Sequence, residues 1–187
     1  MLTRNFDSIM ASFLSGFPPN GTPKEADWLA GMPGAVKNHF GTMKTFTGFP
    51  STRYALFGSN NLNDNISQIP TETVSVYMPI LLIGKSNAEE TYNDYCLDVV
   101  PDLTATGYRY INVAYTSEGC VYNTVKSFVN NTDEDVIVNE VGIYNHIDMN
   151  YDVLLYRKKL PNPVTMKAKG GTATFNIVIN IPYANKP

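Results

Sequence analysis

Between Ala173 and Ile181 the chain alternates. Ala173, Phe175, Ile177, Ile179 and Ile181 interleave with Thr174, Asn176, Val178 and Asn180. A period of two puts one set on each face of a β-strand, one face buried and the other solvated. Runs of similar character recur upstream: "TRYALFG" from residue 52, "TVSVYMPILLIG" from 73, "YRYINVAYT" from 108, "CVYNTVKSFVNN" from 120, "DVIVNEVGIY" from 135 and "YDVLLYRKKL" from 151. Pro79 marks an edge or a bulge. The turn-forming stretches "SEG", "NNTDED", "PNP" and "KGG" separate the later runs. Six or seven short strands without interleaved helices predict a mainly β fold, an antiparallel β-sandwich of immunoglobulin or jelly-roll type.

The N-terminal part follows other rules. Phe6, Ile9, Met10, Phe13 and Leu14 recur at helical spacing, which predicts a short amphipathic helix over 5–15, with Asn5 as cap and Gly16 as stop. From Phe17 to Pro50 the periodicity stops. Prolines 18, 19, 23, 33 and 50 and glycines 21, 31, 34, 41 and 48 break the chain, yet Trp28, Phe40 and Phe46 lie among them. A disordered linker carries few such groups. Two readings fit: an arm that becomes ordered on another protein's surface, or a loop wrapped over its own domain. The first makes Phe6, Met10, Phe13, Trp28, Phe40 and Phe46 partner-binding residues. The expected organisation is a helix and irregular arm over 1–51 and a sandwich over 52–187.

Composition narrows the class. Of 187 residues, 43% are hydrophobic and 17% charged, enough for a packed core and too little charge for a disordered chain. The formal net charge of -3 gives no basic field for nucleic acid. The 12 Tyr and 9 Phe suit strands and protein–protein contact. No secretory signal opens the chain, and no apolar run is long enough for a membrane span. A soluble protein folding in a cytoplasm is expected, with Cys96 and Cys120 as free thiols.

Motifs that resemble chemistry fail on inspection. Gly84-Lys85-Ser86 follows a strand, but Pro79 occupies the first glycine position of a phosphate loop. Asp148, Asn150 and Asp152 open a calcium-loop pattern that Val153 and Lys159 break. His39 and His146 make no close ligand pair with the cysteines. No catalytic residue, metal or cofactor is predicted. Glu140 stands out, because a carboxylate within an apolar strand is costly unless paired. If "VIVNEVGIY" and "YDVLLYRKKL" form a hairpin turning near Asp148 and Met149, Tyr144 faces Val153 and Glu140 faces Arg157. The expectation is therefore a structural ion pair, Glu140–Arg157, that fixes the register.

"NEVGIY" followed by "LLYRKKLPNPVTMKAKGGTATFNIVINI" resembles a module of tailed-bacteriophage virion proteins, with its N-E-[IV]-G-[LI]-[YF] strand, LLxRxxL strand, PVTV segment and alternating last strand. "IGKSNAEETYNDYCL" is similar to that module's G-x-G-T…D-Y-x-L segment, with Lys85-Ser86 in place of Gly-Thr. "KAKGG" replaces the usual Pro-Gly turn, and "MLTRNF" resembles the opening of small phage structural proteins. The resemblance spans roughly 76–181 and the first residues. It implies a non-enzymatic structural subunit of the capsid, neck or tail, assembled in the host bacterial cytoplasm. Its expected partners are other virion proteins and copies of itself, with no nucleic acid and no membrane. The alternative is a host-surface or carbohydrate-binding module, using Tyr, Asn and Asp of "NHIDMNYD" and "TYNDY". A hydrolase on the same scaffold is a third class, without a catalytic set to support it.

Overall fold

The computed structural model describes residues 1–15, 21–30, 32–45, 80–100, 103–115, 117–148 and 151–182. In chain order its elements begin with α1 (Arg4–Ser15), α2 (Glu25–Leu29), β1 (Ala35–Lys37) and β2 (Met43–Thr45). Then follow β3 (Ile80–Gly84), β4 (Leu103–Tyr115), β5 (Gly119–Asn130), β6 (Val136–Asp148), β7 (Tyr151–Met166) and β8 (Gly171–Pro182). The expected strand "TRYALFG" and the start of "TVSVYMPILLIG" lie outside the described residues, as does the expected domain boundary at 51/52.

The fold is mainly β, built from antiparallel sheets. One three-stranded sheet has the order β4-β5-β8 and the other β3-β6-β7. In β8 the alternation is realised: Phe175, Ile177 and Ile179 are buried, while Thr172, Thr174, Asn176, Val178 and Asn180 are exposed. These apolar groups and Phe128 of β5 share one core with Leu81, Ile83, Val141, Ile143, Val153 and Leu155 of the other sheet. Phe128 and Phe175 meet edge to face, with ring centroids 5.9 Å apart. The tight turn between β7 and β8 uses Lys169 and Gly170, both at positive φ.

β7 runs through Pro161 and Pro163, beyond the strand expected from sequence. Both prolines fall where the β6–β7 register shifts, between Val138↔Val164 and Glu140↔Lys159, so they interrupt no ladder.

The N-terminal region packs on the chain's own core. Phe6, Ile9 and Val36 belong to the same buried cluster as the sheets, and Trp28 is 1% exposed. The helix begins at Arg4, with the Thr3 carbonyl accepting from the Phe6 and Asp7 amides. Asn5 is therefore not its cap. It lies buried in the first turn, where Nδ2 donates to the carbonyls of Lys37 and Leu154, and Oδ1 accepts from Lys37 N and Trp28 Nε1. This amide joins α1, α2, β1 and β7 at one point, and it satisfies buried groups that would otherwise destabilise the interior. β1 and β2 pair in a small ladder that the glycine- and proline-rich composition had concealed.

Candidate functional site

The inner face of the β3-β6-β7 sheet meets the other sheet. Its outer face carries Leu82, Glu140, Gly142, Tyr144, Leu154 and Arg157, and residues 85–100 cover it. Leu97 closes over Leu82, Tyr144 and Leu154 as a second, smaller apolar cluster. Glu140 is fully buried at this face.

Glu140 and Arg157 meet here: Arg157 Nε donates to Glu140 Oε2 at 2.6 Å. They do not face each other across the ladder. Glu140 pairs with Lys159, Arg157 with Gly142, and Tyr144 with Leu154 rather than Val153. At the hairpin end Asp148 pairs with Tyr151, one residue beyond the expected turn, and this alone moves Glu140's partner from Arg157 to Lys159. The two irregularities between, at His146/Asp148 and Ile143/Tyr144, offset each other. A displacement of two residues keeps every side chain on its face, so the two charges become diagonal neighbours. Arg157 spans the diagonal beside Gly142, which offers no side chain.

The pair is the centre of a larger cluster. Arg157 Nη1 donates to Asp94 Oδ2 at 2.7 Å and to the Glu89 carbonyl, and Nη2 donates to the Ala88 carbonyl at 3.1 Å. Glu140 Oε1 accepts from the amides of Asp98 at 2.9 Å and Ser86 at 3.3 Å. Asp94 also accepts from the amide and hydroxyl of Thr91, which shapes the turn at 91–94. Tyr144 Oη accepts from Leu97 N at 2.6 Å. Thus both charges are saturated by the covering segment, the condition under which a buried pair is tolerated. Burial alone would lower the Arg157 pKa, but its bonds to Asp94 and Glu140 hold it above its ordinary value.

At the rim, Glu90 accepts from Lys159 N and Lys158 Nζ, while Glu89 accepts from Lys159 Nζ. Burial pushes Glu90 upward, but the Lys159 amide and the Lys158 ammonium outweigh it and hold the carboxyl below its ordinary value. Its folded pKa lies below its unfolded one. Its stabilising contribution is therefore present above the unfolded pKa and disappears as pH falls through the folded pKa. We expect thermal unfolding temperatures to fall on acidification through the lower carboxylate range. A Glu90→Gln variant should start lower at neutral pH and lose less in acid. Parallel pH curves for the two proteins would show that Glu90 contributes nothing to that slope.

The basic run "RKK" thus meets the acidic stretch "EETYND", a complementarity that sequence reading had missed. The segment is also tied to the N-terminal region. Arg4 donates to Asn93 and stacks over Tyr92, and Lys37 sits 4.5 Å from the Tyr95 ring centroid. Cys96 is a half-buried free thiol in this segment, whereas the Cys120 side chain lies outside those described. Burial pushes the Cys96 thiol up, and Glu140 and Asp94 push it the same way. The thiolate is the nucleophile. We therefore expect slow alkylation of Cys96 in the native protein at neutral pH and fast alkylation after denaturation, read by intact mass. Equal rates would show that the segment does not shield it.

The expected partner-binding residues separate. Phe6 and Trp28 fill the chain's own core, a correction to their assignment as partner contacts: large apolar groups report that they will be buried, not by which surface. Met10 is half-buried against the same cluster, and Phe40 is 75% exposed. The Phe13 side chain and Phe46 lie outside the described residues. Among the described residues no group of three His, Cys, Asp or Glu side chains is placed to hold a metal, and no helix is long and apolar enough to cross a membrane. Comparisons with protein-family models, curated proteins and solved structures find no match.

Proposed function

We propose that this protein is a non-enzymatic structural subunit of a tailed-phage virion, making protein–protein contacts in the capsid, neck or tail. The observation that supports this reading is the use of the residues that carry the phage resemblance. Asn139 donates to the Lys85 carbonyl, Glu140 pairs with Arg157, and Leu154 packs under the 85–100 segment. The module's distinctive polar residues thus build architecture. Glu140, the one carboxylate within an apolar strand run, is fully enclosed and bonded on both oxygens, an arrangement suited to rigidity rather than proton transfer. Phe40, with exposed Leu29 and Met32, offers apolar contact area on the N-terminal region for another virion protein.

The glycan-binding alternative gains nothing from "TYNDY". Tyr92 donates to Asp7, Asn93 accepts from Arg4, and Asp94 is held by Arg157 and Thr91. The test is mass spectrometry of purified particles from a lysate of the phage or prophage that encodes the chain. Stoichiometric presence in particles is expected. Particles lacking the chain, with the free protein retained on a glycan array, would replace this reading with the alternative.

A further inference from the structure

Each of the two three-stranded sheets has two outer strands, and an outer strand is a template for another chain unless something blocks it. Three of the four are blocked. β7 is bridged by Leu2 at Tyr156, its Leu155 carbonyl accepts from Thr3 N, and it carries Pro161 and Pro163. β3 is bridged at Gly84 by Val99, and its Ile83 carbonyl accepts from Val100 N. β4 has a register break between Thr106 and Tyr110.

β8 has none of these devices. It pairs with β5 without a break from Gly171↔Asn130 to Pro182↔Gly119. It contains no charged residue, and its one proline is the last residue. Among the described residues no strand lies on its other side, and beyond Gly171, whose amide donates to the Lys167 carbonyl of the preceding turn, no loop backbone bond to it is seen. A twelve-residue uncharged edge is the feature that proteins otherwise eliminate.

We infer that the edge of β8 left unpaired among the described residues pairs antiparallel with β8 of a second copy, joining the two β4-β5-β8 sheets across a two-fold axis. The strand is self-complementary. With the axis at Asn176, its amide meets the partner subunit's Asn176, and β-branched Thr174 meets the partner subunit's Val178 on the outer face. On the inner face Phe175 meets the partner subunit's Ile177. Val178, 48% exposed in the single chain, is covered by this pairing. Neutral strands meet without like-charge repulsion, and a charged peptide would find no countercharge along β8. The inference stands on the sheet edge alone and does not depend on the virion reading.

Analytical ultracentrifugation of the full chain tests it. The wild type should sediment as a dimer or a multiple of it. Asn176→Lys sets two ammonium groups face to face at the axis and should raise the dissociation constant at least about tenfold. Asn176→Glu should do the same. An equimolar mixture of the two variants should regain the dimer. Asn176 is exposed, so circular dichroism should be unchanged; if it is not, Val178→Lys takes its place. A wild type that is monomeric at every accessible concentration would overturn the inference. So would an oligomer that neither charge variant weakens, or variants that both dissociate and fail to recombine when mixed.

Discussion

Replacing Arg157 with alanine should cost about 3–5 kcal/mol of folding stability, the range for breaking a buried ion pair from one side. The loss is large because the guanidinium serves several groups together. Glu140, fully buried, would be left with only two amide donors, Asp94 would keep only its bonds from Thr91, and the carbonyls of Ala88 and Glu89 would lose a donor. Arg157→Lys should recover little, since one ammonium cannot reproduce a fork aimed at two carboxylates. Glu140→Gln should cost less, because its carbonyl still accepts from Nε. Urea unfolding of the single and double variants gives the coupling, expected to be about 1–3 kcal/mol. A coupling of zero would mean that Arg157 acts through the 85–100 segment alone.

Gly84→Ala should destabilise by about 2–3 kcal/mol, the upper part of the range for overpacking a filled interior. A methyl group there would lie 2.8 Å from Glu140 Cγ and 2.9 Å from the Asp98 carbonyl oxygen, and closer still to Glu140 Oε1. The side chain of Glu140 cannot yield without leaving Arg157, and the Asp98 carbonyl is fixed by its bond from Lys85 N at 2.7 Å. The effect should be less than additive with Arg157→Ala, because both open the same cluster. An unchanged unfolding midpoint for Gly84→Ala would show that the segment shifts freely over the sheet.

What could be read in advance follows from period. Two-residue alternation in β8 and the apolar runs of β5, β6 and β7 gave strands, sheets and a mainly β fold. The same period placed Glu140 and Arg157 on one face. It supported their ion pair but not the ladder register, because that depends on where the β6–β7 hairpin turns, a position that apolar patterning does not encode. Asn5 at a helix start fits a cap by type; only the three-dimensional neighbourhood of Lys37, Trp28 and Leu154 makes it a clamp. Phe6 and Trp28 advertised burial but not its address. The covering segment stood out only through the resemblance and as a candidate sugar site, because a polar stretch reads as a loop and its place over the sheet leaves no apolar period. Its acids at 89, 90 and 94 acquire meaning only beside 157–159, more than sixty residues later.

That separation has a kinetic consequence. Residues 85–100 leave the ribosome before β6 and β7 exist, yet most of their anchors are on those strands. The segment cannot lock until the later hairpin has formed and its register has been chosen, so we expect closure of the cluster to follow the folding barrier. Interactions made after the barrier govern the rate of escape from the native state rather than the rate of arrival. The Arg157 cluster is accordingly a latch: its expected contribution is to the lifetime of the folded chain, slowing unfolding while leaving refolding rates nearly untouched.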